Sequence, residues 1–116
     1  LPRVWVDGDQ IRQIAMNLML NASGAMPEGG RLEVGTALGE DPFVNITFQD
    51  SGSGIPPEYL EKIFEPFFTT RARGTGLGLA ITKTIIERHG GRIAVDSAVG
   101  QGTRVTVSLP MHRESA

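Results

Sequence analysis

The 116-residue sequence contains no cysteine. That absence excludes a disulfide framework, thiol catalysis and thiolate metal sites, and it fits a reducing compartment. Histidine is almost as scarce: His89 and His112 are the only two, too few for a histidine-rich metal centre. Aromatic residues make up 6% of the chain and none follows Phe68, so the second half offers no rings on which bases could stack and nucleic acid is not expected as a partner. No apolar run approaches the ~18 residues of a membrane span, and no charged-then-apolar leader opens the chain, so neither a span nor a signal peptide is expected. The chain starts at Leu1 rather than at a methionine, which suggests a piece of a longer protein.

What is present reads as one folded unit. A hydrophobic fraction of 40% with 21% charged residues excludes disorder, collagen and coiled coil. The charge is uneven. Residues 1–70 carry four basic and ten acidic side chains, whereas residues 71–104 carry six basic and two acidic ones. Without aromatics, a basic half of this kind suits a small anion such as a nucleotide phosphate better than a polynucleotide.

Periodicity outlines the elements. Arg3-Val4-Trp5-Val6-Asp7 alternates as a short strand, and Asp7 or Asp9 caps a helix running to about Met26, with Ile11, Ile14, Ala15, Leu18 and Ala22 at helical spacing. Arg31–Ala37 and Val44–Phe48 read as strands joined by a hairpin connection. A short helix spans Pro57–Lys62. Phe64–Gly78 has no clear period and reads as a long ordered loop, of the kind that is more often functional than idle. Leu79–His89 is a helix with Ile81, Ile85 and Ile86 on its buried side, followed by strands Arg92–Ser97 and Arg104–Leu109. Strands and helices do not alternate strictly, and two hairpins are present, so the expectation is an α+β two-layer α/β sandwich rather than a doubly wound parallel sheet. Residues 1–111 form the single domain and 112–116 a polar tail.

Three segments stand out chemically. Asn17 and Asn21 stack four residues apart on the first helix, which is otherwise apolar nearly all round between Ile14 and Leu20. Such amides either satisfy loop backbone or face a polar cavity, where an amide oxygen suits Mg²⁺ that also keeps water and phosphate oxygens. Asp50-Ser51-Gly52-Ser53-Gly54 follows a strand; it is either an ordinary Asp-Gly turn or a carboxylate held ready for an amino group beside backbone that can approach a ligand. Gly74-Thr75-Gly76-Leu77-Gly78-Leu79 opens a helix with free amides, and Arg71 and Arg73 precede it. A glycine hinge and an anion site are both open readings. A Walker loop is excluded by the missing Gly-Lys-Ser/Thr, and a dinucleotide fingerprint by Leu79 standing where its third glycine belongs.

Together these segments resemble the boxes of histidine-kinase catalytic domains. Asn17-Leu18-Met19-Leu20-Asn21-Ala22 is similar to their N box and Asp50-Ser51-Gly52-Ser53-Gly54 to their G1 box. Ile63-Phe64-Glu65-Pro66-Phe67-Phe68-Thr69-Thr70 is similar to their F box, Gly74–Leu79 to their G2 box, and Gly100-Gln101-Gly102-Thr103 to the closing glycine-threonine element. The Phe-Phe-Thr-Thr wording and short lid look like the nitrogen-regulation and dicarboxylate-sensor branch. The resemblance implies a Bergerat ATP-binding fold, with a mixed, mostly antiparallel sheet and helices on one face. It implies ATP and Mg²⁺ as ligands. Asp50 would accept the adenine amino group, with Thr103 in the same pocket and Gly52, Gly54 and Ile55 passing the base. Asn21 would be the Mg²⁺ ligand, with Asn17 beside it toward the phosphates. Gly74, Thr75, Gly76, Leu77 and Gly78 would bring amides to the phosphates, Arg71 and Arg73 would neutralise them, and Phe64 would anchor the lid. Asn17, Asn21 and Arg71 would carry catalysis.

The implied activity is transfer of the ATP γ-phosphoryl group to a histidine on a dimerisation domain of the parent chain, with a response regulator downstream. The implied setting is cytoplasmic, with no direct membrane contact, the parent anchored or not in the inner membrane, and the isolated domain a monomer. Two departures bear on this. Gly24 stands where many relatives carry a lysine. Gyrase B, the mismatch-repair protein MutL and the heat-shock chaperones place a water-activating glutamate where this chain has Asn17, and an amide is no general base. A hydrolytic ATPase of the same fold, an anti-sigma serine kinase and a nucleotide-sensing module are the alternatives.

Overall fold

The structure is a computed structural model and describes residues 8–24, 26, 28–40, 42–60, 62–65 and 78–110. The strand expected at 3–7 and most of the loop expected at 64–78 lie outside these residues. The elements are α1 (Gly8–Gly24), β1 (Leu32–Leu38), β2 (Phe43–Asp50), α2 (Pro57–Leu60), α3 (Gly78–Arg88), β3 (Arg92–Ala98) and β4 (Gly102–Pro110).

Helix α1 starts with Asp9 in its first turn, where a carboxylate complements the free amides. It ends at Gly24, short of Met26, because glycine is a poor helix former and the chain tightens there: the Met26 N–H bonds the Ser23 carbonyl at 3.1 Å. Helix α2 is likewise shorter than expected. Beyond Leu60 the chain continues in turns, with the Lys62 N–H on the Tyr59 carbonyl and the Glu65 N–H on that of Lys62.

The four strands form one sheet in the order β1-β2-β4-β3, and every neighbouring pair is antiparallel. The mixed sheet implied by the resemblance is thus purely antiparallel among the described residues. Because side chains alternate along a strand, register decides which rows share a face. Ile46, Val107 and Ile93 lie side by side, and so do Phe48, Val105 and Val95. The next row is Asp50, Thr103 and Ser97, so an apolar face ends in a polar edge.

Helices α1 and α3 cover that face. Ile14 and Leu18 of α1 meet Ile85 and Ile86 of α3 over Phe48, Val107 and Leu109, all buried. Removing these side chains from water is the main force joining the layers. The buried stripe of α3 is Thr82, Ile85 and Ile86, at i, i+3 and i+4. Ile81, expected on the buried side, is instead 38% exposed, because it falls about 100° away from Thr82 on the helix surface. Met16, Met19 and Leu20 of α1 are also exposed, so the helix is apolar all round in sequence yet buries only one stripe.

Candidate functional site: a cavity between the helices and the polar edge of the sheet

Between the helices and the sheet lies a cavity of about 230 Å³. Phe48, Val95 and Val105 form its sheet wall, while Leu18, Ala22, Ile63 and Leu79 form its apolar cover. Asp50 and Thr103 line it from the polar edge, together with Ser53, Gly54 and Ile55 of the loop after β2. Asn21 and Gly24 line it from α1. An apolar slot with a few convergent polar groups is the usual form of a small-molecule site.

Asp50 closes β2, and its side chain is buried. A buried carboxylate is costly unless hydrogen-bonded. Its Oδ1 accepts the Gly52 N–H at 2.9 Å and the Thr103 N–H at 3.2 Å. Both hydrogen bonds described for the carboxylate fall on Oδ1, which leaves Oδ2 as the oxygen to meet whatever enters the cavity. Gly52 therefore serves Asp50 through its N–H, and it is not among the residues that line the cavity.

The loop after β2 is stitched to the β3–β4 turn. The Gly100 N–H bonds the Ser53 carbonyl at 2.8 Å, and the Ile55 N–H bonds Ser97 Oγ at 2.7 Å. Two glycines make this closeness feasible. Gly54 has φ +77° and a Cβ there would collide with the Ala98 carbonyl; Gly102 has φ +92° and a Cβ would collide with the Asp50 carbonyl. The glycine at 54, expected to let the chain pass a base, is also required by backbone packing.

The two asparagines part company. Asn21 is half-buried and lines the cavity, whereas Asn17 does not line it and its Nδ2 donates to Thr82 Oγ1 across α1 and α3 at 3.4 Å. Leu79, one residue into α3, lines the same cavity, so the first turn of α3 borders the space that Asn21 faces. Gly78 opens α3 as its first residue. Phe64 is half-buried outside the cavity, with Lys83 Nζ 5.2 Å from its ring centroid, a cation–π contact that ties this segment to α3. Arg71, Arg73, Gly74, Thr75, Gly76 and Leu77 lie outside the described residues.

Sequence reasoning missed two polar residues. Ser97 touches Thr103 Oγ1 at 2.8 Å and donates to the Gly102 carbonyl at 3.0 Å. A hairpin centred on Gly100 would have placed it opposite Thr103. Thr82 is fully buried, and its spacing from Ile85 and Ile86 was the available signal. His89, at the end of α3, has Nδ1 2.8 Å from the Ile85 carbonyl, as its place at a helix end leads one to expect.

An antiparallel sheet with its helices on one face, and an aspartate-edged cavity between the layers, is the Bergerat ATPase arrangement. The chain belongs to the histidine kinase-, DNA gyrase B- and HSP90-like ATPase family, which matches residues 6–113. It is 46% identical over 112 residues to the sensor histidine kinase ZraS of Escherichia coli O157:H7, covering 97% of this chain and 24% of that protein. The chain thus spans about a quarter of that relative's length. Among solved structures, a mycobacterial sensor histidine kinase, MprB, is 33% identical with a TM-score of 0.84, the match covering 96% of this chain and 76% of that one. Full-length ShkA in complex with AMPPNP is 30% identical with a TM-score of 0.85, covering 100% of this chain and 24% of that one. The domain is therefore of the ATP-binding type found in sensor histidine kinases.

Proposed function

We propose that the chain is the catalytic domain of a sensor histidine kinase, which binds Mg²⁺-ATP and presents its γ-phosphoryl group to a histidine outside residues 1–116. The observation that carries this reading is the composition of one cavity: Asp50 and Thr103 at the polar edge, Asn21 on α1 and the first turn of α3 all border the same space. The adenine amino group donates to Asp50 Oδ2, with the base between Phe48, Val95 and Val105 on one side and Leu18 and Ile63 on the other. The phosphates lie toward Asn21 and the start of α3, where unpaired amides and the helix dipole favour negative charge. Arg71 and Arg73 and the amides of Gly74–Gly78 are assigned to the phosphates on their sequence position alone.

The donor set fits magnesium. Among the described residues there is no group of three or more His, Asp or Glu that could hold an ion, so an all-protein cage is absent there. Mg²⁺ bound through phosphates and water needs only one or two protein oxygens, which Asn21 Oδ1 supplies. When bound, the ion neutralises charge on the phosphates. The chain's own share is positioning, since phosphoryl transfer asks for alignment and charge stabilisation rather than covalent chemistry from the protein.

Asn17 favours kinase over hydrolase. It is an amide engaged with Thr82 where a hydrolase requires a basic carboxylate. His89 Nδ1 lies against the Ile85 carbonyl at the end of α3, and the acceptor histidine is assigned to the dimerisation helices of a parent chain. A response regulator takes the phosphoryl group onward, and the domain works in the cytoplasm, where ATP is available. Among the described residues no helix is long and apolar enough to cross a membrane.

The test is direct. The purified chain binds Mg²⁺-ATP, releases no appreciable phosphate and does not label itself. Added to the dimerisation helices of its parent, it labels a histidine there, and the label is acid-labile and base-stable. Steady phosphate release by the chain alone would favour the hydrolase, and acid-stable labelling of a partner serine would favour the anti-sigma kinase.

A further inference from the structure

Ser97 lies on β3 beside Thr103, on the polar edge that borders the cavity, and its hydroxyl has three polar neighbours. The Ile55 N–H points to it at 2.7 Å, the Gly102 carbonyl lies at 3.0 Å and Thr103 Oγ1 at 2.8 Å. A serine hydroxyl holds one proton and two acceptor lone pairs. The Ile55 amide can only donate, so it takes one lone pair. The Gly102 carbonyl can only accept, so it takes the single proton. No proton of Ser97 is then left for Thr103, and the 2.8 Å contact requires the Thr103 hydroxyl to donate to the second lone pair. This is the one arrangement that puts a proton between every pair.

The consequence falls on Thr103. Its N–H is spent on Asp50 Oδ1 and its O–H on Ser97, so both of its donors are occupied. Toward the cavity it retains acceptor lone pairs only. Asp50 contributes Oδ2, also an acceptor. The polar edge is therefore matched to the edge of a heterocycle that donates, such as an amino group, and mismatched to a carbonyl oxygen in the same place, which would set acceptor against acceptor without a proton.

We propose that Ser97 is a positioning residue that sets base selectivity by holding the Thr103 hydroxyl proton away from the cavity. This rests on the reading of the Asp50 edge as the base site. Without the Ser97 hydroxyl, Thr103 can turn its proton inward and donate to a carbonyl, so a 6-oxo purine gains a partner that it is otherwise denied.

Calorimetric titration of this chain with ATP and with inosine triphosphate tests it. The wild-type chain prefers ATP. In Ser97→Ala the ratio of the two dissociation constants falls about tenfold, the effect of one hydrogen bond, whereas Ser97→Thr, which keeps a hydroxyl, preserves the ratio. In a Thr103→Val background the further change Ser97→Ala leaves the ratio where it was, because there is no Thr103 proton to release. Equal weakening of both nucleotides by Ser97→Ala, or the same shift in the Thr103→Val background, would overturn the proposal by reducing Ser97 to a structural prop. If Ser97→Ala does not fold, the wild-type chain supplies the answer by nuclear magnetic resonance. A slowly exchanging Thr103 hydroxyl proton close to the Ser97 β protons supports the proposal, and one exchanging freely with water overturns it. Failure of the wild-type chain to bind either nucleotide would overturn the base-site reading itself, and the selectivity assigned to Ser97 with it.

Discussion

At the scale of single residues, Asn21 and Asp50 line one cavity, and on the proposed reading they do different work there, so their substitutions should separate. Asn21 offers a neutral oxygen, which matters to a nucleotide chiefly through a metal. Asn21→Ala is therefore expected to weaken ATP binding about tenfold with Mg²⁺ present and little in a chelator, read by calorimetry under both conditions. On the proposed reading Asp50 meets the base rather than the phosphates. Asp50→Ala should weaken ATP and ADP alike, by about 1 to 3 kcal/mol, since a buried amino donor is left unpaired, and should reduce the preference for adenine over guanine nucleotides. The sequence allowed both residues to be singled out. Four-residue spacing alone puts Asn17 and Asn21 on one side of α1, and the resemblance gave them adjacent roles, Asn21 at the metal and Asn17 toward the phosphates; the packing of α3 adds that Asn17 Nδ2 meets Thr82 while Asn21 lines the cavity.

At the scale of elements, the β3–β4 hairpin acts as a strap across the polar edge. Its turn holds the loop after β2 through Gly100 and Ser97, and the start of β4 supplies both Gly102 and Thr103. Gly102 sits at φ +92° against the Asp50 carbonyl, so any side chain there meets backbone rather than a movable side chain. Gly102→Ala is expected to cost about 1 to 3 kcal/mol of stability from the strained conformation alone. It should also weaken ATP binding, because the Thr103 N–H is drawn away from Asp50. Denaturant unfolding and nucleotide titration of the same variant check the two effects. The glycines at 52, 54 and 102 were legible as a pattern, but in sequence Gly52 and Gly54 read as sites of ligand approach and Gly102 only as part of the closing glycine-threonine element. The structure gives Gly54 and Gly102 a packing duty, because backbone of another element occupies the space their side chains would need.

At the scale of the whole molecule, the candidate site and the core share side chains. Leu18 and Phe48 belong both to the buried core and to the cavity wall, so filling the cavity should stabilise the fold rather than act on a detached patch. With free Mg²⁺-ATP at a hundred times its dissociation constant, linkage adds about 2.7 kcal/mol to the unfolding free energy. The expected result is a thermal midpoint several degrees higher in wild type and a smaller rise at the same nucleotide concentration in Asp50→Ala, read by scanning calorimetry.

Local chemistry by itself determined the α+β class, the order and type of the described elements and the motif residues, because helical and strand periodicity, turn glycines and the asparagine and aspartate boxes are written within short stretches of chain. Their ends were less legible, as α1 and α2 show, because helix termini depend on which carbonyls the next turn satisfies. Tertiary structure decided what depends on residues far apart in sequence meeting: that Ile81 is exposed and Thr82 buried, that Asn17 Nδ2 meets Thr82 of α3, and that Ser97 stands beside Thr103. The last of these needs strand register, which places Asp50, Thr103 and Ser97 in one row although 53 residues separate the first two. A hydroxyl proton can be assigned only once every neighbour competing for it is in place, and those neighbours come from a loop and two strands.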